Sequence, residues 1–147
     1  MQEVTIRPIR AGDQPGWDAL WQGYLAYYET ELDDNVRRAA FDKLIAPDTK
    51  THGFLALEDG KPVGLVHYIF HDHLWRPEGV CYLQDLFTTQ DQRGKGVAGK
   101  LINAVYDAAD KAGAPRVYWL TQEFNTTARM LYDKVAKLSP FIKYDRP

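Results

Sequence analysis

The run Arg93-Gly94-Lys95-Gly96-Val97-Ala98-Gly99-Lys100-Leu101 is the stretch whose residue types and spacing carry the most chemistry in this chain. It lies between a strand-like and a helix-like segment, where exposed amides and the helix dipole favour an anion. Glycines let the backbone approach a phosphate closely. Arg93, Lys95 and Lys100 add positive charge. The chemistry indicated is the grip of a phosphate-bearing ligand. The plain alternative is a tight strand-to-helix turn that binds nothing.

Two familiar templates fit this run incompletely. The nucleotide P-loop, Gly-x-x-x-x-Gly-Lys-Ser/Thr, is nearly satisfied from Gly94 to Lys100, but Leu101 stands where a hydroxyl must reach Mg²⁺. The dinucleotide pattern Gly-x-Gly-x-x-Gly is satisfied, with Glu123 near the end of the next strand. However, the preceding strand ends near Thr88, and too little chain follows Gly94 for the rest of a doubly wound domain.

Other reactive residues are few. Cys81 is the only cysteine, which excludes an intramolecular disulfide and a cysteine-based zinc cage. His71 and His73 are spaced as a metal pair but lack a third placed ligand, so no metal is expected. His67, inside an apolar strand, reads as a satisfied core or site-lining histidine.

The elements that position these residues follow from periodicity. Val4 to Pro8 reads as a first strand, and Asp13 as the cap of a helix with Pro15 in its first turn. Trp17, Leu20, Trp21, Tyr24, Leu25 and Tyr28 recur at helical spacing. A second helix runs through Phe41, Leu44 and Ile45 and ends before Pro47. Strands follow at 54–57 and 63–70, joined by the hairpin signal Glu58-Asp59-Gly60-Lys61. A loop is expected over 71–79, a strand over 80–87, and a helix from the glycine run carrying Val97, Leu101, Ile102, Val105 and Ala109. A strand at 116–120, a helix at 126–135 and a last strand at 141–144 complete the pattern. This alternation is α/β (α+β), a single domain over residues 1–147.

Composition sets outer limits. With 18 Lys plus Arg against 20 Asp plus Glu, the formal charge of −2 gives no footprint for nucleic acid. Hydrophobic residues at 45% are ordinary for a folded domain. No apolar run is long enough to span a bilayer, and the amino-terminal residues lack the apolar core of a leader. A soluble, cytoplasmic protein is expected.

The chain resembles the GNAT N-acetyltransferases. Their acetyl-CoA loop, Gln/Arg-x-x-Gly-x-Gly/Ala, is met by Arg93, Gly96 and Ala98. Tyr82-Leu83-Gln84-Asp85-Leu86-Phe87 is similar to the fourth strand of spermidine/spermine acetyltransferases, and 64–70 to their third. Asn125 with Ala128 and Tyr132 resembles their Asn-x-x-Ala-x-x-x-Tyr segment. The stretch from Tyr118 to Tyr144 is similar to the yeast histone/polyamine acetyltransferase group. The likeness spans roughly residues 4 to 144 and is most specific from residue 62 onward.

This resemblance implies a single mixed, mostly antiparallel sheet with helices on both faces. It further implies acetyl-CoA as co-substrate, held by the backbone of Leu86, Phe87 and Thr88, by the loop Arg93, Gly94, Lys95, Gly96, Val97, Ala98 and Gly99, and by Asn125. Tyr132 would protonate the departing thiolate. With no activated serine or second thiol in the chain, direct attack by the amine is favoured over an acetyl-enzyme. The base is open. The family's glutamate is replaced by Gln84, and an amide accepts no proton, so Asp85, a water chain or a neutral amine are the choices. Strand alternation would send Gln84 and Asp85 to opposite faces. Tyr27, Glu29, Glu31 and Asp33 would line the amine site, against the plainer reading of a solvated acidic loop. The expected activity is acetyl transfer to a primary amine of a small molecule, polyamine or amino-acid-like. Alternatives are a protein lysine acetyltransferase and a non-catalytic acetyl-CoA sensor. A homodimer is implied by the family.

Overall fold

The computed structural model describes residues 3–47 and 49–147. Met1 and Gln2, which begin the stretch read above for a leader, and Asp48 lie outside the described residues. The chain opens with β1 (Val4–Pro8), then a short 3-10 turn, α1 (Gln14–Tyr27) and α2 (Asp34–Ile45). Three strands follow: β2 (Thr51–Glu58), β3 (Lys61–His73) and β4 (Arg76–Thr88). The remaining elements are α3 (Val97–Lys111), β5 (Val117–Tyr118) and α4 (Thr126–Val135). The sheet runs in order β1-β2-β3-β4-β5. Its first three pairings are antiparallel and the last, β4 with β5, is parallel.

Both faces of this sheet are covered. Trp17, Leu20, Trp21 and Leu25 of α1, with Phe41 and Leu44 of α2, pack on Leu55, Leu57 and Leu65. Val97, Leu101, Ile102, Val105 and Ala109 of α3 pack on the opposite face, against Ala56, Val66, Cys81 and Leu83. Adjacent residues such as Leu65 and Val66 therefore serve opposite cores, which is why the central strands read as continuous apolar runs. Each fully buried leucine contributes about 1.5–3 kcal/mol.

The β2–β3 hairpin forms as its residues indicate. Asp59 and Gly60 both take positive φ, 52° and 77°, the geometry of a two-residue turn that matches strand twist.

Other expectations change. The segment 71–79 is no loop: His71 pairs with Val80 and His73 with Arg76, leaving only Leu74 and Trp75 as the turn. Long antiparallel partners carry the strands past the point where apolar patterning stops. The strand expected at 116–120 shortens to Val117–Tyr118. The strand expected at 141–144 does not form, because a strand needs an edge to pair with and 141–144 finds none among the described residues. Asp13 does sit at the N-cap of α1, but its carboxylate makes no cap bond. It accepts instead from the Arg7 guanidinium at 2.7 and 2.8 Å and from the Arg10 amide at 2.7 Å.

Candidate active site

The site begins where β4 and β5 part. They pair only at Cys81 with Val117 and at Tyr82 with Tyr118, and no further pair joins them among the described residues. Beyond Tyr82, the β5-facing edge of β4 therefore runs through Leu86, Phe87 and Thr88 without a β5 partner. A strand edge of this kind presents amide and carbonyl groups ready to bond another extended chain.

That edge leads into the glycine run. Gly94 and Gly96 adopt φ of 79° and 82°, a left-handed conformation that a side-chain-bearing residue adopts only with strain. Gly96 is the N-cap of α3, and the first helical bond runs from the Lys100 amide to its carbonyl, 3.1 Å. Among the described residues, the amides of Val97, Ala98 and Gly99 find no backbone acceptor. No acidic residue occupies the first turn of α3, and Arg93, Lys95 and Lys100 are exposed around it. Val97 is buried in the core and anchors the turn. The arrangement has the geometry of an anion-binding helix start.

A second cluster forms from side chains of α1, β3 and β4. Asp85 pairs with His67 across β3–β4, while the next pair joins Tyr68 to Leu83. Gln84 is thus an extra residue, a β-bulge. The bulge overturns the expected alternation: the Gln84 amide lies 3.5 Å from the Asp85 carboxylate, so both side chains share one side. Gln84 is exposed, whereas Asp85 is buried.

Asp85 is held from within. His67 Nδ1 lies 2.8 Å from its Oδ2, and Trp17 Nε1 donates to His67 Nε2 at 2.9 Å. All three residues are buried. Trp21 packs edge-on against His67 at 5.6 Å, and its indole N–H, also buried, donates to no protein atom among the described residues. Tyr24 faces Asp85 as well. Burial, and then the negative charge of Asp85, push its hydroxyl far above the ordinary tyrosine range.

The end of α1 joins the two clusters. The Arg93 guanidinium stands over the Tyr27 ring at 5.7 Å from its centre. Tyr28 lies close enough to feel Asp85, although burial is the larger reason that its hydroxyl titrates high. Tyr132, on α4, packs against Trp119 at 5.4 Å. Burial, with Tyr28 and Tyr27 nearby, raises its hydroxyl above the usual value, so it stays protonated through neutral pH.

The other expected residues have plainer surroundings. Asn125 is the N-cap position of α4, its side-chain amide donating to Thr121 at 3.3 Å. Asp33 caps α2 by accepting from the Asn35 amide at 3.3 Å. Glu29 and Glu31 line a separate cavity of about 390 Å³ with Gln22, Leu32 and Arg37. Arg37 is ion-paired to Asp18 at 2.7 Å. Cys81 is fully buried, and burial pushes its thiol up to about 11. His71 bonds the Tyr118 hydroxyl at 2.8 Å, and His73 accepts from the Trp75 amide at 3.1 Å. Among the described residues, no three His, Cys, Asp or Glu side chains are grouped to hold a metal.

Sequence reasoning missed Trp17, Tyr24 and Tyr28 as parts of this site. Trp17 and Tyr24 are seven residues apart on α1, a spacing that shares one helix face and was read only as core.

Comparison with known proteins identifies the family and agrees with the fold. The family model described as acetyltransferase (GNAT) family matches residues 17–136. A D-amino-acid N-acetyltransferase of Saccharomyces cerevisiae, HPA3, is 37% identical over 145 residues, covering 97% of this chain and 90% of the relative. Among solved structures, the aminoglycoside acetyltransferase AAC(6')-Iy with a CoA bisubstrate analogue superposes with a TM-score of 0.87. The identity there is 20%, over 99% of this chain and 98% of that one. A ribosomal-protein-alanine N-acetyltransferase from Brucella melitensis gives a TM-score of 0.81 at 20% identity, with 99% of each chain covered. By its family match, its overall identity to HPA3 and its fold, the chain is an N-acetyltransferase and belongs to the acetyltransferase (GNAT) family.

Proposed function

We propose that this enzyme transfers acetyl from acetyl-CoA to the primary amine of a small molecule, with amino acids, the D series first, as leading acceptors. One observation carries the reading: β4 has an edge without a β5 partner that runs into the free amides of α3, and the same strand carries a buried carboxylate beside tyrosines. When bound, acetyl-CoA supplies an acetyl group activated as a thioester. The backbone of Leu86, Phe87 and Thr88 holds the extended arm, the Arg93–Gly99 loop grips the pyrophosphate, and Asn125 contacts the arm. Asp85 takes the proton released by the amine, with Gln84 beside it at the bulge. Tyr132, kept protonated by burial, gives its proton to the departing thiolate. The buried, high-titrating Cys81 thiol is a poor nucleophile, which supports direct attack by the amine.

Among acidic residues, Asp85 is the better partner for the ammonium group. Asp33 is spent on its helix cap, and Glu29 and Glu31 line the separate cavity beside Arg37, while Tyr27 lies under Arg93. A panel of D- and L-amino acids, polyamines, aminoglycosides and a lysine-bearing peptide, assayed by CoA release, tests the reading. Turnover of a small amine is expected. Turnover of the peptide alone would favour protein lysine acetylation, and acetyl-CoA binding without turnover of any amine would favour a sensor.

The same reading places the enzyme in the cytoplasm as a homodimer. Its one thiol is unbonded. No described helix is long and apolar enough to cross a membrane. Leu138, Phe141, Ile142 and Tyr144 stand exposed beyond α4, beside the two-residue β5, and a second copy would cover them. Sedimentation should show a dimer that Phe141→Asp with Ile142→Asp converts to a monomer.

A further inference from the structure

The buried chain Trp17–His67–Asp85 has a property that the reaction alone does not require. An indole nitrogen only donates, so the 2.9 Å contact from Trp17 Nε1 makes His67 Nε2 an acceptor. The ring proton then sits on Nδ1, where it donates to Asp85 Oδ2 at 2.8 Å. Both ring nitrogens are thereby committed, and His67 has no free lone pair with which to take a proton from substrate. Three secondary-structure elements, α1, β3 and β4, contribute one member each. His67 and Asp85 also face each other directly across the β3–β4 register, at the edge of the bulge.

We propose that His67 is a positioning residue, locked by Trp17 as the neutral Nδ1–H tautomer, that fixes the Asp85 carboxylate toward the acceptor amine. This rests on the reading of Asp85 as proton acceptor. The bulge turns Asp85 onto the α1 side of the sheet, and a carboxylate there has two torsions of freedom. The bond from His67 restrains both while leaving the second oxygen uncommitted to it. Trp17 sets the ring in turn: it is fully buried, stacked on Trp21 at 5.0 Å and tilted against Phe41 at 5.1 Å. Seven residues further along the same helix, Tyr24 meets Asp85. One rigid helix therefore both orients the carboxylate, through His67, and walls it directly.

The test combines kinetics and nitrogen NMR on the full chain, with acetyl-CoA and the best amine from the panel. In ¹⁵N-histidine-labelled protein, His67 should show a protonated Nδ1 and a hydrogen-bonded, unprotonated Nε2. His67→Phe should lower kcat on the order of tenfold to a hundredfold, as loss of an orienting partner does, with KM for acetyl-CoA unchanged. His67→Asn, which restores an N–H toward Asp85, should recover part of that loss. Should His67→Phe fail to fold, Trp17→Phe keeps an aromatic ring, smaller than the indole, and removes the N–H. Its His67 spectrum should lose the single-tautomer signature, and kcat should fall several-fold.

A protonated Nε2 in the wild-type spectrum would overturn the proposal. So would wild-type kcat in folded His67→Phe beside an impaired Asp85→Asn, a result that leaves the acid–base reading standing. Wild-type kcat in Asp85→Asn itself would overturn that reading and the positioning role together.

Discussion

The two halves of the proposed site are built from different materials. The donor half is backbone: an unpaired strand edge, two left-handed glycines and the free amides that start α3. The acceptor half is side chain: Asp85, His67 and Trp17, with Tyr24, Tyr28 and Tyr132, drawn from α1 and its C-cap, β3, β4 and α4. A backbone site is sensitive to φ and to bulk at its glycines, yet tolerant at exposed neighbours such as Lys95. A side-chain site depends on single atoms, and removing one lowers the rate by an amount set by that atom's role. The first kind of site fixes where a common ligand sits. The second decides what reacts.

The largest expected effect breaks the donor half. Gly96→Glu forces a side chain into a φ of 82° and sets a negative charge where the pyrophosphate would bind. A Cβ there meets nothing within 4 Å, so the protein should still fold. Calorimetry should show loss of several kcal/mol of acetyl-CoA binding. Unchanged affinity in the folded variant would remove this loop from the site.

Two smaller changes break the acceptor half without touching binding. Tyr132→Phe should lower kcat by about 10² to 10⁴, the range for a positioned acid, with acetyl-CoA affinity preserved. The hydroxyl titrates above its ordinary value, so in the wild type it should impose no loss of rate below about pH 10. Asp85→Asn should fall by a similar factor and most steeply below the amine's own pKa. Raising the pH should recover part of its rate, because more acceptor then arrives neutral. A flat pH response would leave Asp85 outside proton removal.

A milder substitution sharpens the comparison. Gln84→Glu adds a second carboxylate at the bulge, exposed and 3.5 Å from Asp85. Activity at neutral pH should be kept or rise, with only a few-fold change. A severe loss would instead mark Gln84 as a required donor toward Asp85.

The smallest effect lies outside the proposed site and should spare activity altogether. Arg7 holds the Asp13 carboxyl below the usual carboxylate range through two short bonds. A lowered folded-state pKa stabilises the protein above the ordinary carboxylate value of about 3.9, and that stability is lost as pH falls through the lowered one. Asp13→Asn should therefore reduce stability near pH 7 by about 1 kcal/mol or less, and flatten the acid side of a Tm-against-pH curve.

Local sequence by itself determined most elements and the donor half. Helical spacing marks α1, α3 and α4, the Asp-Gly turn marks the β2–β3 hairpin, and the glycine run marks the helix start. Each depends on residues within a few positions of one another, so its physics is written along the chain. Tertiary structure decided the rest. Strands β3 and β4 extend through His73 and from Arg76 because they pair with each other, while 141–144 finds no strand to pair with among the described residues. The bulge that turns Gln84 and Asp85 to one side exists only in the register between two strands. The bonds from Trp17 to His67 and on to Asp85 join residues 50 and 18 positions apart. No local pattern encodes such contacts: a hydrogen bond between distant residues forms only once packing has brought its partners together.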